Sequence, residues 1–256
     1  MMLNILKSEF RKLISTRMTW ILVVITVLMG SLYVSLYALL AGYETIDGQT
    51  TLPPLTMEMS VRLVYSAVSS GFIIILVLGI VGFTSEHRHR TATLTYLAAP
   101  RRWRVLAMKF LANGLFAAVI GVVNVAINIP LANLIVGFRE HWEMPAQDIK
   151  EIAIATIITF TLYSVLGVSV GALIKNQVAA IVGALTWVTL IEQLFTALLP
   201  DVGKWMPAGA ANAMLEARAL NGEKFLEPVQ GGLLLLSYAL VFAIIASVTS
   251  TRQDVS

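Results

Sequence analysis

The sequence predicts an all-α, polytopic integral membrane protein with six transmembrane helices and both termini in the cytoplasm. Three observations carry that prediction. Hydrophobic residues make up 57% of the 256-residue chain and charged residues 13%, with a mean hydropathy of +0.81, against about 25% charged in an ordinary soluble domain. The apolar residues gather into six runs, each at or above the roughly 20 residues that a helix needs to cross the hydrocarbon core. Lys and Arg also alternate from gap to gap. Twelve of the 18 lie in the N-terminal stretch, the gap after the second run, the turn at Lys175 and the C-terminal tail. Acidic residues concentrate in the other gaps, so the positive-inside rule places the basic gaps and both ends in the cytoplasm.

The first element, residues 3–17, is an amphipathic helix lying in the interface. Leu3, Leu6, Phe10, Leu13 and Ile14 fall on one face, with Lys7, Ser8, Arg11 and Lys12 opposite. A plain basic flank that only orients the first span is the simpler alternative. The first span covers about 20–41; it is longer than the apolar core of a signal peptide and starts too late to be one. An acidic loop with Pro53-Pro54 follows, then a second span at about 63–83.

Residues 84–104 form a charged island with two of the three histidines and a dense set of Arg residues. Its centre, Thr91 to Ala99, has the length of two helical turns, with Leu94 and Leu97 on one side, and Pro100 stops it. The third span, about 105–136, is longer than a bilayer requires and must tilt or protrude. A second acidic loop precedes the fourth span at about 152–174. A tight turn at Lys175-Asn176-Gln177 leads to the fifth at about 178–199. The segment 200–228 is extracellular, with an alanine-rich helical middle from Ala208 to Leu220, and the sixth span covers about 229–248. The whole chain is one transmembrane domain.

Catalysis finds no candidates. His87, His89 and His141 all lie in aqueous gaps, so no intramembrane serine–histidine pair exists. The spacing of Glu86, His87 and His89 does not match a metal motif, and Gly203-Lys204 lacks the rest of a phosphate loop. The chain has no cysteine, which removes disulfides and thiolate chemistry. A pI of about 9.2 records membrane orientation rather than nucleic-acid binding. No metal, cofactor or catalytic residue is expected in this chain.

What remains is transport or scaffolding. A short amphipathic helix set between two spans suits a groove on a partner; a basic loop that touches only anionic headgroups is the alternative. Within the spans, Asn124 and Asn128 lie one helical turn apart. They either hydrogen-bond neighbouring helices or line a pathway. Glu192, with Gln193 beside it, sits in the outer half of span five, where an ionisable group marks a functional site by default; reaching the outer interface or pairing with Arg218 is the alternative. Gly167 and Gly171 at GxxxG spacing permit close helix contact, within the chain or between copies. Trp20, Trp142 and Trp205 fall at predicted interfaces.

The arrangement resembles the permease subunits of the type 2 ATP-binding-cassette (ABC) exporter family. The matching residues are Glu86 closing span two, the Thr91–Thr93 turn, the Leu94–Leu97 helix, Pro100-Arg101 and Lys109 opening span three. The proline-broken segment from Pro200 to Pro228 matches too. Where the family often has Gly-Thr, this chain has Arg90-Thr91.

The resemblance implies a coupling helix between spans two and three that docks on a cytoplasmic ABC ATPase. Its contacts would come from Glu86, Arg88, Arg90, Thr91, Leu94, Leu97, Pro100, Arg101 and Arg102, supported by Lys7, Phe10, Arg11 and Lys12 of the interfacial helix. ATP and Mg would sit on that partner. A second permease copy would complete the unit, a homodimer in preference to a heterodimer, surrounded by membrane lipids and without nucleic acid. Glu192, Gln193, Asn124 and Asn128 are the candidate pathway residues, and the cargo class is a drug, peptide antibiotic, lipid or glycoconjugate. A non-transporting scaffold or sensor is the rival function. An ion-coupled transporter acting alone ranks last, for want of buried charge.

Overall fold

The computed structural model describes residues 2–43, 52–88, 102–140, 144–216 and 226–252. Among these the fold is helical throughout, apart from one isolated bridge between Ala41 and Leu52. Among the described residues, six helical spans are long and apolar enough to cross a membrane.

Helix α1, Met2–Ser15, lies against the bundle. Its buried stripe differs from the purely apolar face that the spacing predicts. Leu6, Phe10 and Leu13 pack into the core, but Leu3 and Ile14 are 67% and 51% exposed, and Glu9 takes a buried place. The helix is rotated so that one carboxylate faces inward. Lys7 and Arg11 stay exposed.

The first span is α2, Arg17–Leu40. Thr19, Leu22, Thr26, Gly30, Val34 and Ala38 form its buried stripe, at the three- and four-residue spacing of one helical face. Its other faces carry exposed Ile, Leu and Val, which in a membrane meet lipid.

The second span begins earlier than its hydropathy indicates, at Glu58, because α3, Glu58–Ser66, enters as a buried helix. A 3₁₀ turn, Ala67–Gly71, joins it to α4, Phe72–Arg88. Gly71 explains that irregular turn. A Cβ there would stand 2.8 Å from the backbone oxygen of Thr26, so the two spans touch main chain to main chain.

Helix α5, Arg102–Glu140, is one 39-residue helix that passes through Pro130. At 1.5 Å per residue it is about 58 Å long, nearly twice the hydrocarbon thickness, so it projects beyond the membrane. Helix α6, Ala146–Ile174, is the central strut of the bundle. Gly167 and Gly171 serve contact within the chain. A Cβ on Gly167 would stand 2.2 Å from the carbonyl oxygen of Leu76, and one on Gly171 3.0 Å from that of Ile80.

After the turn at Lys175, the Asn176 side chain caps α7, Gln177–Thr186, accepting from the N–H groups of Val178 and Ala179. Span five continues through a π-helical turn, Trp187–Ile191, into α8, Glu192–Leu198. The short α9, Pro200–Gly203, and then α10, Pro207–Met214, follow. The alanine-rich stretch is therefore shorter than expected, and it is no free loop helix. Ala208, Ala210, Ala211 and Ala213 are buried against α11, Pro228–Arg252, the sixth span. Residues 217–225, including Arg218, lie outside the described residues.

Candidate functional site

Three helices bring four charged side chains together at one place, two of them deeply buried. Helix α1 presents Glu9 and Lys12 one turn apart. The last turns of α4 present Glu86, and the second turn of α5 presents Lys109. The Lys109 ammonium donates to Glu9 at 2.6 Å and to Glu86 at 2.9 Å. Lys12 donates to the same two carboxylates, at 2.6 Å each. Two cations and two anions thus close a box of zero net charge across three helices.

Its two sides differ in depth. Glu9 and Lys109 are each 3% exposed, whereas Lys12 is 42% exposed. A buried ion is tolerated only when its partners and hydrogen bonds offset the lost hydration. Lys109 meets that demand with both carboxylates, the Gly82 carbonyl at 3.4 Å and the Phe83 ring 6.0 Å away. The Asn113 side chain of α5 packs directly on the α4 backbone beside the box: a Cβ on Gly82 would stand 2.5 Å from Oδ1 of Asn113. At Lys12, partial desolvation acts to lower the pKa, but the hydrogen bonds and charges of Glu86 and Glu9 outweigh it and the pKa is raised.

Of the expected partner-docking residues, Glu86 is in this box, and Arg88 is exposed on the final turn of α4. Arg90, Thr91, Leu94, Leu97, Pro100 and Arg101 lie outside the described residues, and Arg102 opens α5. From the interfacial set, Lys12 enters the box, Phe10 packs into the core, and Lys7 and Arg11 face outward. Glu9 was not singled out from the sequence. The available signal was its being the lone acid among the four basic residues before the first span.

The intramembrane polar residues form two separate groups. In the first, Ser31 donates to Asn128 at 2.6 Å, Asn128 to Asn124 at 2.9 Å, and Asn124 to the Val68 carbonyl at 2.8 Å. This relay ties α2, α5 and the 3₁₀ turn, and its amides are occupied by neighbouring helices. In the second, Glu192 follows the π-helical turn and is 1% exposed. Its Oε2 accepts from the Ala208 N–H at 2.6 Å. Gln193 is exposed and points away from that site. Other ions act at the end of the bundle opposite the box, where Arg62 pairs with Glu216 at 2.6 Å.

The box fastens a surface helix to the junction of two spans. The model of the ABC-2 family transporter proteins matches residues 3–238, nearly the whole chain, from the interfacial helix into span six. The chain belongs to that family. As an ABC-2 family protein it is a multi-pass membrane protein, the permease subunit of an ABC transporter, and not itself the ATPase. Its family membership implies an ABC ATPase as partner. A search of curated proteins found no match.

Proposed function

We propose that this ABC-2 permease exports an amphipathic or hydrophobic cargo such as a drug, peptide antibiotic, lipid or glycoconjugate. A separate cytoplasmic ATPase drives it and docks on residues 84–104. The observation that carries the proposal is the four-residue ion box. It stands where α4 and α5 run towards that segment, and it clamps α1 to both helices.

ATP binding would draw two ATPase subunits together beneath two permease copies. Movement of the segment 84–104 would then reach the ends of α4 and α5 directly, and reach α1 through Glu9 and Lys12. A buried ion pair resists separation because breaking it leaves an unpaired charge, at about 3–5 kcal/mol. The three helix ends would therefore move as one body. Both termini and the box lie on the cytoplasmic side, as the distribution of Lys and Arg supports. The Ser31–Asn128–Asn124 relay keeps spans one and three in register and does not contact cargo.

The test is co-purification with an ABC ATPase, followed by ATP-driven release of a fluorescent lipid or dye from proteoliposomes. Arg101→Glu with Arg102→Glu should insert normally, lose the ATPase and abolish release. Unchanged ATPase binding by that variant would overturn the docking assignment.

A further inference from the structure

The ion box leaves unused the other deeply buried carboxylate, and its surroundings are unusual. Glu192 accepts from the Ala208 N–H through Oε2, and the Trp187 side chain of the preceding π-helical turn also interacts with its carboxylate. Oε1 is buried and makes no hydrogen bond of ordinary geometry, and Glu192 has no ion pair among the described residues. On α6, Thr156, Thr159 and Tyr163 recur at three- and four-residue spacing, so they share one face. Their hydroxyls are also buried and unpartnered among the described residues. Tyr163 lies within electrostatic range of Glu192, as does Tyr238 of α11. The walls are apolar: Tyr163, Val188, Ala210, Ala211, Leu235 and Ala239 belong to one core cluster.

Buried polar groups normally find partners, so several unpartnered oxygens on adjoining helices point to something they hold. The donor chemistry restricts what that is. One carboxylate repels anions. Neutral hydroxyls beside it supply further oxygen ligands but no second charge, which disfavours a divalent ion, and apolar walls disfavour a large hydrated one. A π-helical turn immediately before the carboxylate is a feature that recurs at functional sites. We propose that Glu192 and Tyr163, with the hydroxyl face of α6, form a buried site for a compact monovalent cation. That cation is an alkali ion or the ammonium of a bound amine. Binding would link span five, through Glu192 and Ala208, to spans four and six. The inference rests on this geometry and not on the exporter assignment.

The experiment uses the permease–ATPase complex in lipid nanodiscs. Its unfolding midpoint is read at constant ionic strength in sodium, potassium or methylammonium chloride, against the bulky N-methylglucamine salt. At least one compact cation should raise the wild-type midpoint by about 2–4 °C. A rise with sodium or potassium identifies an alkali ion, and a rise with methylammonium alone identifies an amine. Glu192→Gln should remove the increment, and Tyr163→Phe, which keeps the ring packing, should reduce it. Arg218→Ala should leave it intact. Equal midpoints in all four salts, as a neutral carboxylic acid would give, would overturn the site. So would a full increment in Glu192→Gln, or one abolished by Arg218→Ala. Loss of ATPase binding in the Arg101 and Arg102 variant would leave the cation increment of the permease untouched, so the two proposals fail separately.

Discussion

Lys109 and Lys12 carry the same charge to the same two carboxylates, yet their depths give them different jobs. Lys109 is the buried member, so Lys109→Met leaves Glu9 and Glu86 sharing Lys12 alone, with one carboxylate charge uncompensated in a buried place. That variant should lose about 3–5 kcal/mol, read as a fall in the unfolding midpoint of the detergent-solubilised protein. Removing both ions of that pair is a different perturbation. Glu9→Leu with Lys109→Met leaves Lys12 on Glu86 and should melt close to wild type, because a well-packed apolar pair can replace a buried ion pair without loss. Lys12 sets a pH dependence. Its folded pKa lies above the usual 10.5, so its contribution is complete below that pH and fades as pH rises through the folded value. Midpoints of wild type and Lys12→Met should therefore converge only above about pH 10.5. Convergence already at neutral pH would show that the Lys12 contacts add nothing.

At the scale of helices, close contacts are set by residues without side chains. The α4–α6 seam depends on Gly79, Gly167 and Gly171. A Cβ at Gly79 would stand 2.3 Å from the Ser164 carbonyl, as tight as the Gly167 contact in the other direction. Gly167→Ala should then cost about 1–3 kcal/mol by overpacking. The same substitution at Gly183, which has nothing within 4 Å, should be neutral. Comparing unfolding midpoints of the two variants checks the seam.

Much of the element order was legible because hydropathy reports lipid exposure, and the strongly apolar runs appear as helices. Less legible was anything decided by packing. Span two's start at Glu58 and its 3₁₀ break answer the approach of Thr26 to Gly71, a tertiary contact with no periodic signal. The alanine-rich α10 is buried by small residues that fit Gly231 of span six, whereas proline and charge nearby suggested an aqueous loop. In the site, Glu86 and Lys109 stood out as charges at the ends of apolar runs. Glu9 did not, because helical spacing shows a polar residue's angle but not which arc faces the bundle.

For the whole molecule, the two ends are fastened differently. At one, the ion box holds α1 to α4 and α5. At the other, Arg62 holds α3 near Asp148 of α6 and Glu216, and Arg139 donates to the carbonyls of Ala38 and Ala41. Between them run the amide relay and the glycine seam. Such a frame carries a displacement at one end along stiff helices rather than absorbing it in loops, which suits a subunit that converts a partner's closure into movement of its spans. The most direct measurement is the ATPase turnover of the reconstituted complex carrying Glu9→Leu with Lys109→Met, beside the partner ATPase alone. Transmission through the box predicts a complex that assembles and melts like wild type but loses at least tenfold of the permease-dependent stimulation. Wild-type stimulation in that stable complex would contradict it.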